Sequence, residues 1–264
     1  MRMPATRERR AAAMSERSEA MRVVALLDDS RQSQAALAAA VALADQVSAE
    51  LVALFIEDLD LLSCAAFPFS CEVGASTGLS RPLQSEALEA SLARQLQRIT
   101  RALEQAVEGR ELRHRLQVSR GQVVSEALAA AAPCDVLVLG KAGLSSRWGW
   151  SSRLGSTSRR LVLEAPCTVI IWDERHPPAP GPLRYLRGEA PTLPWGETLA
   201  EASRSHPLFR GREELAPMAA PELERFLARA RSGALVISRQ TLTRLFAEDP
   251  EVLARIPIPV VVVP

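Results

Sequence analysis

Aromatic residues make up only 4% of this 264-residue chain, with a single tyrosine, so the core must be built from Leu, Val, Ile and Ala. No apolar run approaches the ~18 residues of a membrane-spanning helix, so no membrane insertion is expected. The net charge is +1, which leaves no concentrated basic field for a nucleic-acid backbone and excludes that class of partner. The three histidines, His114, His176 and His206, lie far apart in sequence and near no obvious nucleophile. The four cysteines, Cys64, Cys71, Cys134 and Cys167, form no Cys-x2-Cys pair and no zinc pattern. Free thiols of this kind suit a reducing compartment, and a cytoplasmic location is the expectation.

Hydrophobic residues nevertheless reach 47%, ample for the core of one or two domains. Residues 1–20, MRMPATRERRAAAMSERSEA, carry charge but no apolar stretch, and read as a disordered arm rather than a signal peptide. From Met21 the chain alternates between two patterns. Val23–Leu27 is a continuous apolar run stopped at Asp28-Asp29-Ser30, the mark of a strand buried on both faces. Ser30 is placed to cap the following helix, whose Leu37, Ala40, Val41 and Ala44 share one face. A second strand, Leu51–Ile56, ends in Glu57 and Asp58, and a long loop then runs to about Pro82. Leu88, Leu92, Leu96, Ile99, Leu103 and Val107 form the stripe of a strong helix, closed by Gly109.

The third strand, Leu112–Val118, alternates polar and apolar residues and should lie at an edge, with His114 at the rim of the core. A helix over Gln122–Ala132 leads to a fourth strand, Asp135–Leu139, that ends in Gly140. A last helix, Ser156–Glu164, feeds a fifth strand, Cys167–Trp172. Strands alternating with helices predict an α/β fold: an open, parallel, five-stranded, Rossmann-like sheet with helices on both faces. Ligands of such sheets bind at the carboxyl ends of the strands, which draws attention to Asp28, to Glu57 and Asp58, and to Gly140.

The segment after the fourth strand, GKAGLSSRWGWSSRLGSTSRR, has the makings of a phosphate cradle. Gly140, Gly143 and Gly155 allow close backbone approach. Gly155-Ser156-Thr157 opens a helix whose free N–H groups and dipole favour an anion, and Lys141, Arg147 and Arg153 add positive charge.

In these residues the chain resembles the universal stress protein family, whose nucleotide-binding members carry Gly-x2-Gly-x9-Gly-Ser/Thr ahead of a helix and an Ala-Pro-Cys-Pro-Val strand start. Gly140-x2-Gly143 and Gly155-Ser156 match that pattern, and Glu164-Ala165-Pro166-Cys167-Thr168-Val169 resembles the strand start. Eleven residues, Leu144–Leu154, stand where the family has nine, and they bring in Trp148 and Trp150. The resemblance covers Met21–Trp172 and implies an adenine nucleotide alpha hydrolase-like fold. It implies ATP, with Mg, as the bound cofactor. It places Asp28 near ribose and adenine and Ile56 as an apolar adenine contact. Gly140, Lys141, Gly143, Gly155, Ser156 and Thr157 would then surround the phosphates.

After Asp173 the composition shifts, and His176–Pro182, HPPAPGP, reads as a linker. The run ERFLARARSGALVISRQT…VLARIPIPVVVVP parallels SEALAAAAPCDVLVLGKAG…VLEAPCTVIIW. The organisation expected is therefore an arm (1–20), a nucleotide-binding domain (21–174), a linker (175–182) and a shortened, degenerate second lobe (183–264). Arg239 and Leu242 fall about where Gly140 and Gly143 stood, and with no glycine after Ala234 that lobe should be nucleotide-free. Family members resemble one another in dimerising through their last strands, so Val260–Val263 is expected beside Thr168–Trp172 as an intramolecular pseudo-dimer, with a homodimer as a further state. The functional expectation is an ATP-binding regulator or sensor with an unknown protein partner and at most slow ATP hydrolysis. The alternative is a nucleotide-free scaffold acting through protein contacts. An enzyme of a related superfamily would carry His-x-Gly-His or Ser-Gly-Gly-x-Asp, and neither occurs.

Overall fold

A strand apolar along its whole length must be covered on both faces, and this requirement organises the chain. The computed structural model describes residues 21–74, 77–141, 154–173, 181–187, 193 and 209–264. β1 (Arg22–Leu27) leads through Asp28-Asp29-Ser30 into α1 (Arg31–Gln46). β2 (Glu50–Asp58) is followed by α2 (Leu59–Ala65) and a small hairpin, β3 (Cys71–Val73) and β4 (Ser80–Pro82). Then come α3 (Ser85–Val107), β5 (His114–Gly121), α4 (Val123–Ala130), β6 (Val136–Gly140), α5 (Ser156–Glu164) and β7 (Thr168–Trp172). The carboxy-terminal part adds β8 (Gly181–Leu186), β9 (Phe209–Leu215), α6 (Ala220–Leu227), β10 (Ala234–Ser238), α7 (Arg239–Glu248), α8 (Val252–Arg255) and β11 (Val260–Val263).

The main sheet has nine strands, in the order β5-β2-β1-β6-β7-β11-β10-β8-β9. The five strands expected from the sequence are there, as one half of a larger sheet. Neighbours are parallel throughout except at one seam, where β11 runs antiparallel to β7 with Val260 opposite Ile171 and Val262 opposite Val169. The last strand thus lies where the sequence placed it. Two further strands, β8 and β9, come from a stretch whose irregular sequence concealed them. The second half runs β9-β8-β10-β11 and repeats the order β2-β1-β6-β7 of the first, and among the described residues it has no counterpart of β5.

Two apolar cores cover the two faces of this sheet, and each contains residues of both halves. One joins Val24, Leu54 and Leu137 to Leu235 and Val262. The other joins Val23, Leu51 and Val138 to Val236 and Val261. In α3, Leu92, Ile99, Leu103 and Val107 are buried as the stripe required, and Gly109 ends the run at φ +72°, a left-handed conformation that suits glycine. β5 is an edge strand, mostly exposed, as its alternation indicated, and His114 on it is exposed.

The long loop expected over Leu59–Pro82 is more ordered than that. Asp58 accepts a hydrogen bond from the Asp60 N–H at 2.9 Å and starts α2, and the Gly74 and Leu79 backbones close the hairpin. At the amino ends of β1 and β6, the fully buried Asp135 carboxylate accepts from the Arg22 backbone and guanidinium and from the Ala132 N–H, locking the two strand starts together. Among the described residues no helix is long and apolar enough to cross a membrane.

Candidate functional site

The carboxyl ends of β1 and β6 lie side by side, and the starts of α1 and α5 meet them there. After β1, Asp28 Oδ1 accepts from the Ser30 N–H at 3.1 Å. Ser30 caps α1: its Oγ accepts from the Ser33 N–H at 3.0 Å, and the Ser33 hydroxyl donates back to Ser30 O. Asp29 between them is held at φ +62°, a region that costs a residue with a side chain roughly 1–2 kcal/mol. Its carboxylate turns to Arg98 of α3, 2.6 Å away, so the extra negative charge at this corner is paired. Nothing in the sequence pointed to Arg98, one of several polar residues on the outer face of a long helix.

At the end of β6 the first turn of α1 comes very close. A Cβ on Gly140 would lie 2.9–3.0 Å from the backbone of Gln32, so the packing of α1 on the sheet itself requires glycine here. Gly140 O accepts from the buried Ser158 hydroxyl at 3.0 Å. The two roots of the loop between β6 and α5 are joined: Gly155 N–H donates to Lys141 O at 3.2 Å, and Lys141 N–H to Trp172 O at 2.9 Å. Gly155 is the N-cap of α5 and supplies no side chain to the first-turn N–H groups. The exposed Ser156 and half-buried Thr157 follow it. Ile56 is buried at the end of β2, in the core that also holds Leu139, Leu154 and Leu161.

The structure therefore brings Asp28, Gly140, Gly155, Ser156 and Thr157 to one end of the sheet. Gly143, with Arg147, Trp148, Trp150 and Arg153, lies outside the described residues. Lys141 departs from the expectation. Its ammonium is buried and donates to Asp173 Oδ2 at 3.1 Å and to Ile256 O, across the seam in the second half. Through the Ile256 carbonyl it is engaged with the far half of the molecule.

Lys141 has a counterpart. Gly140 pairs with Trp172, and Ser238 pairs with Val263. The register therefore sets Ser238 at the position of Gly140 and Arg239 at that of Lys141. This moves the assignment made from sequence by one residue, because strand register and not glycine spacing fixes the correspondence. Arg239 also reaches across the seam, to Val162 O at 3.0 Å and Cys167 O at 2.9 Å. Burial pulls its guanidinium below the usual arginine range. Burial likewise pushes the Cys167 thiol up to about 11, so it stays protonated and unreactive at neutral pH.

The universal stress protein family model matches residues 19–172, more than half of the chain. The chain belongs to the universal stress protein family. Among solved structures, a universal stress protein from Archaeoglobus fulgidus DSM 4304 is 12% identical over 91% of this chain and 97% of its own, with a TM-score of 0.54. Universal stress protein UspA from Lactobacillus plantarum is 26% identical over 58% of this chain and 97% of its own, with a TM-score of 0.44. No curated protein matches the sequence. Membership makes this a stress-response protein by family, and the family region ends with β7, the strand that carries the seam.

Proposed function

We propose that this universal stress protein binds ATP, with Mg, at the carboxyl ends of β1 and β6, and acts in the stress response as a regulator or sensor rather than as an enzyme beyond slow ATP hydrolysis. The observation that carries the reading is the amino end of α5. It begins at the strand ends with Gly155 as N-cap, a residue with no side chain of its own to cap it, and with the Ser156 and Thr157 hydroxyls beside it. First-turn N–H groups and a helix dipole favour phosphate oxygens. Asp28, one strand away, is suited to ribose hydroxyls. The second half is proposed to be a shortened, nucleotide-free copy of the same domain. There Ser238 caps α7 directly through Thr241 N–H at 3.1 Å, so strand passes to helix with no intervening loop. A cytoplasmic location fits this role.

Two observations favour the other reading, a nucleotide-free scaffold. Gly140 is accounted for by the approach of α1, and Lys141 is turned to the seam. Calorimetry of the full chain with Mg-ATP separates the two. One site per chain is expected, abolished by Gly143→Val, with unfolding free energy raised by about 2.7 kcal/mol at 100 times Kd. A silent titration selects the scaffold, and two sites per chain overturn the empty second half.

A further inference from the structure

Among the described residues eight large apolar side chains stand exposed, and six of them, Leu59, Leu61, Phe67, Phe69, Val73 and Leu79, fall between β2 and α3. Such side chains scattered singly need no explanation, but a concentration on one excursion of the chain does. The hairpin fixes on which side its own members of this set stand. Residues directly opposite in an antiparallel pair share a face. Glu72 is opposite Arg81, and the two form an ion pair on one face. Cys71 is opposite Pro82 and Val73 opposite Ser80, and these form the other face, where all four are exposed. Phe67 and Phe69, in the turn that leads into β3, are 63% and 89% exposed, whereas Leu79, opposite Gly74, belongs to the Glu72–Arg81 face. A two-stranded hairpin ordinarily rests its apolar face on something. This one is tied down instead by its ends, with Leu83 N–H donating to Ser70 O at 2.8 Å and the Ser85 hydroxyl to Ala65 O at 3.4 Å.

The charge on this stretch of chain is mostly of one sign, although Glu57 at its start is paired with Arg120 of β5. From Glu57 to Glu89 there are six acids, Glu57, Asp58, Asp60, Glu72, Glu86 and Glu89, against one base, Arg81, which is already held by Glu72. Asp60, Glu86 and Glu89 are exposed. A second copy of the chain would set acid against acid, and an anionic membrane would be repelled in the same way. We propose that the open face of the β3–β4 hairpin, with α2, docks a cationic amphipathic segment of a partner protein. The apolar residues of that segment would cover Phe67, Phe69 and Val73, and its Lys or Arg residues would meet Asp60, Glu86 and Glu89. This does not depend on whether the strand ends bind ATP.

The test uses the full chain and a fluorescent amphipathic Leu/Lys helix of about 18 residues, five turns, with Leu/Glu and scrambled Leu/Lys peptides as controls. The Leu/Lys peptide should bind one per chain and slow maleimide labelling of the exposed Cys71. Phe67→Ser with Phe69→Ser and Val73→Ser should weaken it at least about tenfold, as loss of a central apolar anchor does. Asp60→Lys with Glu86→Lys and Glu89→Lys should weaken it similarly and create binding of the Leu/Glu peptide. The proposal is overturned if the Leu/Lys peptide does not bind, if neither set of substitutions changes its affinity, or if Cys71 is not protected. It is equally overturned if the face instead drives self-association, or adsorption to phosphatidylglycerol vesicles, that the serine variant abolishes.

Discussion

Lys141 and Arg239 occupy the same place in the two halves, one residue past the end of a strand, and each sends its charge across the seam to backbone carbonyls of the other half. Arg239 takes carbonyls at the carboxyl end of α5 and just beyond it, where a cation is favoured by the helix dipole. Lys141 takes the carbonyl that follows α8 and is also paired with Asp173, whose side chain is only 2% exposed. Removing one member of a buried pair leaves the other charge out of water and costs about 3–5 kcal/mol. Lys141→Met is therefore expected to lower the unfolding free energy by about that amount in urea titrations. An unchanged midpoint and slope would show that the ammonium contributes no net stability at the seam.

Elements rather than residues decide what Gly140 is for. The first turn of α1 lies against the end of β6 so closely that a methyl group meets the Gln32 backbone. Gly140→Ala is expected to destabilise the fold by about 1–3 kcal/mol whether or not nucleotide is present, since backbone and not a pliable side chain has to move. A loss of ATP binding without any loss of stability would instead assign this glycine to the ligand. The β1–α1 unit was open to reading in advance: an unbroken apolar run, an Asp-Asp-Ser stop and a periodic helix are local signals, and the structure follows them to within a residue or so. Ser156–Glu164 was equally legible, with identical bounds. The partner of Asp29 was not, because Arg98 lies far along the chain and an arginine on a helix's outer face carries no local sign of its role. The direction of Lys141 was hidden for a related reason. A lysine after a glycine at a strand end reads as a phosphate ligand until the half of the molecule that claims it has been folded. The α2–hairpin excursion reads in the sequence only as a long loop, since three-residue strands leave almost no periodicity to detect.

For the whole molecule the seam matters most. β7 is paired on both sides, with β6 and with β11, and Ile170, Ile171 and Trp172 are buried in consequence. A chain ending after Trp172 would present that row of N–H and C=O groups, and the apolar surface around it, to water. Such a fragment is expected to dimerise through β7 or to precipitate, as light scattering would show. A fragment that remains monomeric and as stable as the parent would mean that the second half contributes little to the first.

Reversal of strand direction at the seam also gives the molecule two poles. Within each half the strands point one way, but the halves point oppositely. The carboxyl ends of β1 and β6, where α1 and α5 begin, therefore face one side of the sheet's long axis, and those of β8 and β10 face the other. Strands of five residues separate the two sides by roughly 16 Å. A small molecule held at the first pole and a protein gripping the carboxyl ends of the second would approach from opposite directions and would not compete for space. News of one could reach the other through the shared cores on the two faces of the sheet, the paired strands at the seam and the two crossed cations.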